Sequence, residues 1–285
     1  MTDATPVRNV SDTARWVAIY RAMESERPDA IFRDPFARRL GGERGEAIVR
    51  AMPRGRSMAW PMIVRTAVMD EIVLRCVREG ARTVLNLAAG LDARPYRLEL
   101  PADLRWMHVD LPDMLGYFRE QMAGETPRCH LEFHAADLRD AATRRELFAD
   151  AARAGPVLVI TEGLLIYLDA EDVAGLARDL HDVAHARWWL TDLASPLLLE
   201  RFTRHLDSNL AAGNAPFRFA PADGTAFFAP MGWREREFRS TWDESLRIKR
   251  SVPAAPFWQL RSRLTPRRHA AVRRMSGIVL LENTD

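Results

Sequence analysis

Lysine is almost absent from this chain: Lys249 is the single lysine, so arginine supplies nearly all of the 41 basic side chains. That bias reads as a genomic preference rather than a binding device, although arginine does favour two-pronged contacts with carboxylates. Cysteine is scarce too. Cys76 and Cys129 are too few for a disulfide framework and lack the spacing of metal ligands, so both read as reduced packing residues, with no metal expected. Neither sign of charge dominates: 39 acidic side chains leave a formal net charge of +2, and no basic run interleaved with aromatics suggests a nucleic-acid groove. No apolar run approaches the length that spans a bilayer, and Met1 to Pro6 carries no charged-then-apolar signal, so a cytoplasmic protein without a membrane partner is expected. Repeats and low-complexity blocks are missing as well. With 47% hydrophobic residues in 285, one large α/β domain with additions is the simplest reading.

What is present begins at Thr83-Val84-Leu85-Asn86-Leu87, a short apolar run that reads as a buried parallel strand feeding the tight turn Ala88-Ala89-Gly90-Leu91-Asp92. Such a turn lets a ligand approach the backbone closely, and Asp110, about twenty residues beyond Gly90, is placed to grip a ribose. Two ligand classes fit that outline, a dinucleotide and S-adenosylmethionine (SAM). Asp92 separates them. A carboxylate two residues after the glycine would repel a pyrophosphate, whereas SAM presents an ammonium and a sulfonium that an anion favours. The dinucleotide fingerprint also wants glycine where this chain has Ala88.

Further strands are expected at Leu104 to Asp110, Leu131 to Leu138, Pro156 to Glu162, Arg187 to Asp192, Arg234 to Arg239 and Gly277 to Leu281. Helical patterns fall between them at Ala142 to Ala152, at Ala170 to Ala184 behind an Asp169 cap, and at 257–264 and 266–275. Alternation of this kind predicts a doubly wound sheet, in which ligands lie outside the carboxyl ends of the strands. Asp92, Asp110, Asp137, Glu162 and Asp192 all fall at such ends and suit a cationic, hydroxyl-rich ligand.

Five words occur in order: Val64-Arg65-Thr66, Leu85 to Leu98 with its Gly90-Leu91-Asp92-Ala93-Arg94 centre, Val109-Asp110-Leu111-Pro112, Ala136-Asp137-Leu138-Arg139, and Thr161-Glu162-Gly163-Leu164-Leu165-Ile166-Tyr167-Leu168. In these the chain resembles the leucine carboxyl methyltransferase family, in its bacterial branch of SAM-dependent O-methyltransferases. The resemblance runs from about Thr13 to Leu193, includes Asp34-Pro35-Phe36-Ala37, and thins afterwards. It implies a Rossmann-like class I methyltransferase: a seven-stranded, mostly parallel sheet, an N-terminal helical cap over residues 1–75, and a SAM-binding domain over 76–285 with a substrate-covering insertion at 195–233.

Carried over residue by residue, it makes Arg65 a partner of the SAM carboxylate, with Arg21 as a second candidate. Ala88 and Gly90 would form the close-approach turn, Asp92 would neighbour the amino-acid end, and Asp110 would hold the ribose. Asp137 and Leu138 would bracket adenine, Glu162 would lie near the methionine part, and Tyr167 would line the passage toward substrate. Trp16, Ile19, Tyr20 and Met23 share one face of the first helix, as in the family's cap. Two departures stand out: Ala88 replaces the family's first glycine, which matters if the backbone there needs positive φ, and Ala93 replaces a threonine that could cap the next helix, leaving that task to Asp92 or the ligand.

No motif marks a general base among His108, His134, His181, His185, His205 and His269; His205 is preferred only because it lies in the expected insertion. A carboxylate acceptor is ionised at neutral pH and needs no base, while a phenol or alcohol more often does. Phe202, Phe217, Phe219, Phe227, Phe228 and Trp233, around the turn-rich stretch 212–216, either form the core of the insertion or face an apolar acceptor. A small-molecule acid or phenol, polyketide-like or aromatic, is the expected substrate. A nicotinamide (NAD) oxidoreductase and a non-catalytic SAM-binding module are the alternatives, and the oligomeric state is open.

Overall fold

Short apolar runs bounded by turn residues become strands in this chain, and the amphipathic stretches between them become the helices that cover both faces. The computed structural model describes residues 10–52, 59–200, 217–251 and 273–285. Its strands are β1 (Thr83–Leu87), β2 (Arg105–Asp110), β3 (His130–Ala135), β4 (Val157–Thr161), β5 (Trp188–Ala194), β6 (Trp233–Ser240) and β7 (Ser276–Asn283). They build one seven-stranded sheet in the order β3-β2-β1-β4-β5-β7-β6. All neighbours through β5 are parallel, and β7 runs antiparallel to both β5 and β6. The expected mostly parallel Rossmann-like sheet is therefore present. Winding reverses between β1 and β4, so the loops after those two strands open at the switch point where ligands of such sheets bind.

The helices are α1 (Val10–Ser25), α2 (Ala37–Ala51, kinked at Gly42), α3 (Trp60–Arg78), α4 (Arg94–Arg97), α5 (Pro112–Gln121), α6 (Ala141–Ala151), α7 (Ala170–Asp182) and α8 (Thr241–Arg247). Alternate strand residues point to opposite faces. Leu85, Leu87, Met107 and Val109 pack against Phe148 of α6 and Val173, Leu176 and Leu180 of α7. On the other face Val84, Trp106, Leu158 and Ile160 pack against Val64, Val68 and Ile72 of α3. Helix α3 runs unbroken through residue 75, so the boundary drawn there falls inside a helix that belongs to the core of the sheet.

Helices α1 and α2 meet through small residues. A Cβ added at Gly45 would lie 2.8 Å from the Arg15 carbonyl oxygen, so only glycine permits this approach. Two details differ from expectation. The third strand ends at Ala135, before Leu138, because Asp137 turns the chain by accepting a bond from the Arg139 N–H (3.0 Å). Asp169 occupies the N-cap position of α7 without capping it; its carboxylate takes the Arg218 guanidinium at 2.9 Å. The helices expected at 257–264 and 266–275, apart from 273–275, lie outside the described residues. No helix among the described residues is long and apolar enough to cross a membrane.

Candidate active site

The turn after β1 is built on two left-handed residues, Ala88 (φ 49°) and Gly90 (φ 54°). Glycine adopts that conformation freely; alanine does so at a cost of about 1–2 kcal/mol. The positive φ that the Ala88 substitution put in question is thus real, and the surrounding turn imposes it. The Ala89 N–H donates to the Val109 carbonyl (3.0 Å), and the Gly90 N–H donates to Asp110 Oδ2 at 2.6 Å. The Leu111 N–H donates to the other Asp110 oxygen at 2.7 Å. Burial pushes the Asp110 carboxyl above its ordinary value, and the two backbone donors offset this only in part. Helix α1 roofs the turn: a Cβ on Gly90 would stand 3.3 Å from that of Ala14.

Below the turn, ion pairs run unbroken across the ends of the strands. Arg94, fully buried at the start of α4, reaches Asp92 (2.7 Å), Glu162 (2.8 Å) and Asp70 of α3 (2.7 Å). Asp70 is shared with Arg97 at 2.6 Å, and Arg97 stands 3.8 Å from Asp34, which Arg21 holds at 2.8 Å. On the other side Glu162 meets Arg65 Nε at 3.0 Å, and Arg65 Nη1 meets Asp192 Oδ2 at 3.1 Å. Asp192 Oδ1 accepts the Gly163 N–H at 2.6 Å. Burial alone would raise the Glu162 carboxyl, but Arg94 and Arg65 outweigh it and bring it down to about 2. Asp92 is likewise lowered, because Arg94 overcomes both burial and the nearby Glu162. Asp92 also accepts Asn86 Nδ2 (2.9 Å) and, through Oδ1, the Arg94 N–H (2.9 Å). It therefore secures the entry to α4, where Ala93 offers no side-chain cap.

The structure gathers Gly90, Asp92, Asp110, Glu162 and Arg65 at one end of the sheet, together with Asp192. It gives other predicted residues different partners. Both the Nε and Nη2 of Arg21 are engaged, by Asp34 and by the Leu91 carbonyl (2.6 Å), so this guanidinium braces the turn against the cap. Asp137 follows β3 and is paired with Arg139, which lowers its carboxyl. Leu138 packs against the α6–α7 face of the core. Tyr167 is pushed up by burial, shares a hydrogen bond with Thr13 of α1, and has its ring 5.6 Å from that of Phe217. Of the insertion aromatics, Phe219, Phe228 and Trp233 are buried in the main core, and Phe217 alone is seen beside Tyr167.

Among the histidines, His108 is entirely buried beneath the turn, stacked on Phe118 at 4.6 Å, with neither ring nitrogen in a well-formed hydrogen bond. His134 pairs with Glu132 and His181 with Asp182. His205, His269 and Phe202 lie outside the described residues. Sequence reasoning missed the structural half of the ion-pair chain, namely Asp34, Asp70, Arg94 and Arg97. Arg94 and Arg97, three apart on one short helix, were the available signal; Asp70, on a helix distant in sequence, offered none.

The leucine carboxyl methyltransferase profile matches residues 14–181, a span that holds this turn and most of the ion-pair chain. The chain belongs to the leucine carboxyl methyltransferase family. Family membership makes it a methyltransferase. A relative from Parafrankia sp. (strain EAN1pec) is 34% identical over 261 residues, covering 86% of this chain and 83% of its own length. One from Streptomyces coelicolor is 33% identical over 243 residues, covering 78% and 82%. Both are described as S-adenosyl-L-methionine-dependent methyltransferases. Among solved structures, a DUF574 family protein from Streptomyces avermitilis superposes with TM-score 0.60 at 14% identity, covering 95% of this chain and 97% of its own. A methyltransferase from Thermobifida fusca gives 0.58 at 16%, covering 98% and 96%. These two establish the fold, that of class I methyltransferases.

Proposed function

We propose that this methyltransferase transfers a methyl group from SAM to the carboxylate of a small organic acid. The observation that carries the SAM assignment is the pairing of Gly90 with Asp110 at the switch point. The two Asp110 oxygens are fixed by the Gly90 and Leu111 N–H groups and retain lone pairs that suit a ribose diol. Gly90 supplies the close backbone approach. Arg65 fits the same reading: its buried guanidinium, ion-paired with Glu162 and Asp192 at the same end of the sheet, is the type of group that grips a ligand carboxylate. Asp137 and Leu138 are assigned to adenine, with Asp137 exchanging Arg139 for the ring amine. The carboxylates Asp92, Glu162 and Asp192 outnumber the guanidinium groups Arg94 and Arg65 that answer them, and this negative excess disfavours the pyrophosphate of a nicotinamide cofactor.

Bound SAM would supply a methyl carbon already activated by its sulfonium. The protein then has to align the acceptor and exclude water. Helix α1 serves both ends through Ala14 over Gly90 and Thr13 on Tyr167. Helices α1 and α2 act in this reading as the cap, and the segment between β5 and β6 as the substrate cover. A carboxylate acceptor needs no proton removed, which agrees with a Tyr167 hydroxyl engaged by Thr13 and pushed up by burial, a poor base at neutral pH. The family's name for carboxyl methylation points the same way. Phe217 beside Tyr167 favours an acceptor with an apolar or aromatic body, including polyketide-like acids. A hydroxyl acceptor is the second reading, with His205 as its base.

Single-turnover methyl transfer to a panel of aromatic acids and phenols tests this directly. With the carboxylate acceptor the rate stays nearly flat from about pH 6 to 9. A steep loss on the acid side that vanishes in His205→Ala would establish the hydroxyl reading instead. SAM binding without turnover on any acceptor would favour a non-catalytic module.

A further inference from the structure

The ion-pair chain described above contains four guanidinium groups, Arg21, Arg97, Arg94 and Arg65, and five carboxylates, Asp34, Asp70, Asp92, Glu162 and Asp192. Its outer half is balanced, with Arg21 and Arg97 set against Asp34 and Asp70. The half that faces the candidate site is not. There Arg94 and Arg65 answer three acids, which leaves one negative charge over. Asp92 and Glu162 both touch Arg94, and their side chains are 12% and 17% exposed; among the described residues Asp192 has Arg65 as its one cationic partner and is 26% exposed. The surplus therefore belongs at the solvent-facing end of the chain, on β5, and not at Asp92.

We infer that Asp192 is a specificity-determining residue whose charge makes the site favour the cationic methyl donor over its uncharged product. The inference rests on the SAM reading and deepens it. With its ammonium, sulfonium and carboxylate, SAM carries a net charge of +1; S-adenosylhomocysteine, having lost the sulfonium, is neutral overall. Removing both a sulfonium and its counter-charge costs less than leaving a partly buried carboxylate unmatched. Asp192 would thus favour entry of the methyl donor and departure of the spent product. Its geometry is set by two groups that would survive loss of the charge, the Gly163 N–H and Arg65.

The test is calorimetric titration of the full chain with SAM and with S-adenosylhomocysteine, in the wild type, Asp192→Asn and Asp192→Glu. Asparagine keeps an oxygen for Gly163 and removes the charge. The expected result is a loss of SAM affinity of about three- to tenfold in Asp192→Asn, the scale of a partly exposed charge interaction. S-adenosylhomocysteine affinity should stay within about twofold, and Asp192→Glu should restore the wild-type ratio. An equal loss for both ligands, or no change in their ratio, overturns the inference while leaving SAM binding intact. If Asp192→Asn does not fold, the wild type decides: SAM must bind more tightly than its product, and the reverse order overturns the inference. A wild type that binds neither ligand removes the SAM reading itself, and this inference with it.

Discussion

His108 shows at the scale of one residue how burial beneath the turn sets a charge state. Surrounded by Phe118 and Phe133, its ring is driven down to about 4 from 6.5 by loss of water, which outweighs the opposing effects of Asp92 and the Gly90 backbone. Between those two pH values the unfolded chain takes up a proton that the folded chain refuses. Stability therefore falls as pH drops through this window and is fully present above 6.5. From about pH 7 to 4.5, urea melts of the wild type should lose about 2 kcal/mol more than those of His108→Leu. Equal losses would show that the ring is not held neutral by its surroundings. Ala88 is the other residue whose cost is local: its left-handed backbone is retained because the Gly90–Asp110 contact beside it fixes the turn.

Between elements, the decisive joint is α3 against α4. Among the described residues Asp70 is the one carboxylate that meets both Arg94 and Arg97, each at least 96% buried in its side chain. Two guanidinium groups buried this far require their counter-ion, since truncating one member of a buried pair leaves an uncompensated charge. Asp70→Ala is therefore expected to destabilise the fold by about 3–5 kcal/mol; a loss below about 1 kcal/mol in denaturant melts would contradict the role assigned to it. This joint also marks the limit of what the sequence tells. The strands were legible because their apolar runs are short, buried and bounded by turn residues, and the turn at Gly90 because its spacing to Asp110 is local. The partners of Arg94 were not legible. They come from α3, from the β1 turn and from the end of β4, which only the folded sheet brings together.

For the molecule as a whole, the sheet order places the ends of β1, β2, β4 and β5 along one edge, and their acids with them. That explains why five strand-terminal acids read from the sequence suggested a site while the groups that hold each of them in the fold did not emerge. Asp137 faces a neighbouring arginine, Asp92 and Glu162 are bound into the buried ion-pair chain, and Asp110 is held by backbone donors. The α1 helix reaches Gly90 through Ala14 and Tyr167 through Thr13, so it touches both ends of the proposed ligand space. The central claim is that this space takes SAM through Asp110. Calorimetric titration of SAM and of NAD into the wild type and Asp110→Ala tests it most directly. The account predicts SAM binding in the wild type, no measurable NAD binding, and SAM affinity weakened by about 1–3 kcal/mol in Asp110→Ala. Unchanged SAM affinity in that variant, or NAD binding to the wild type, would contradict it.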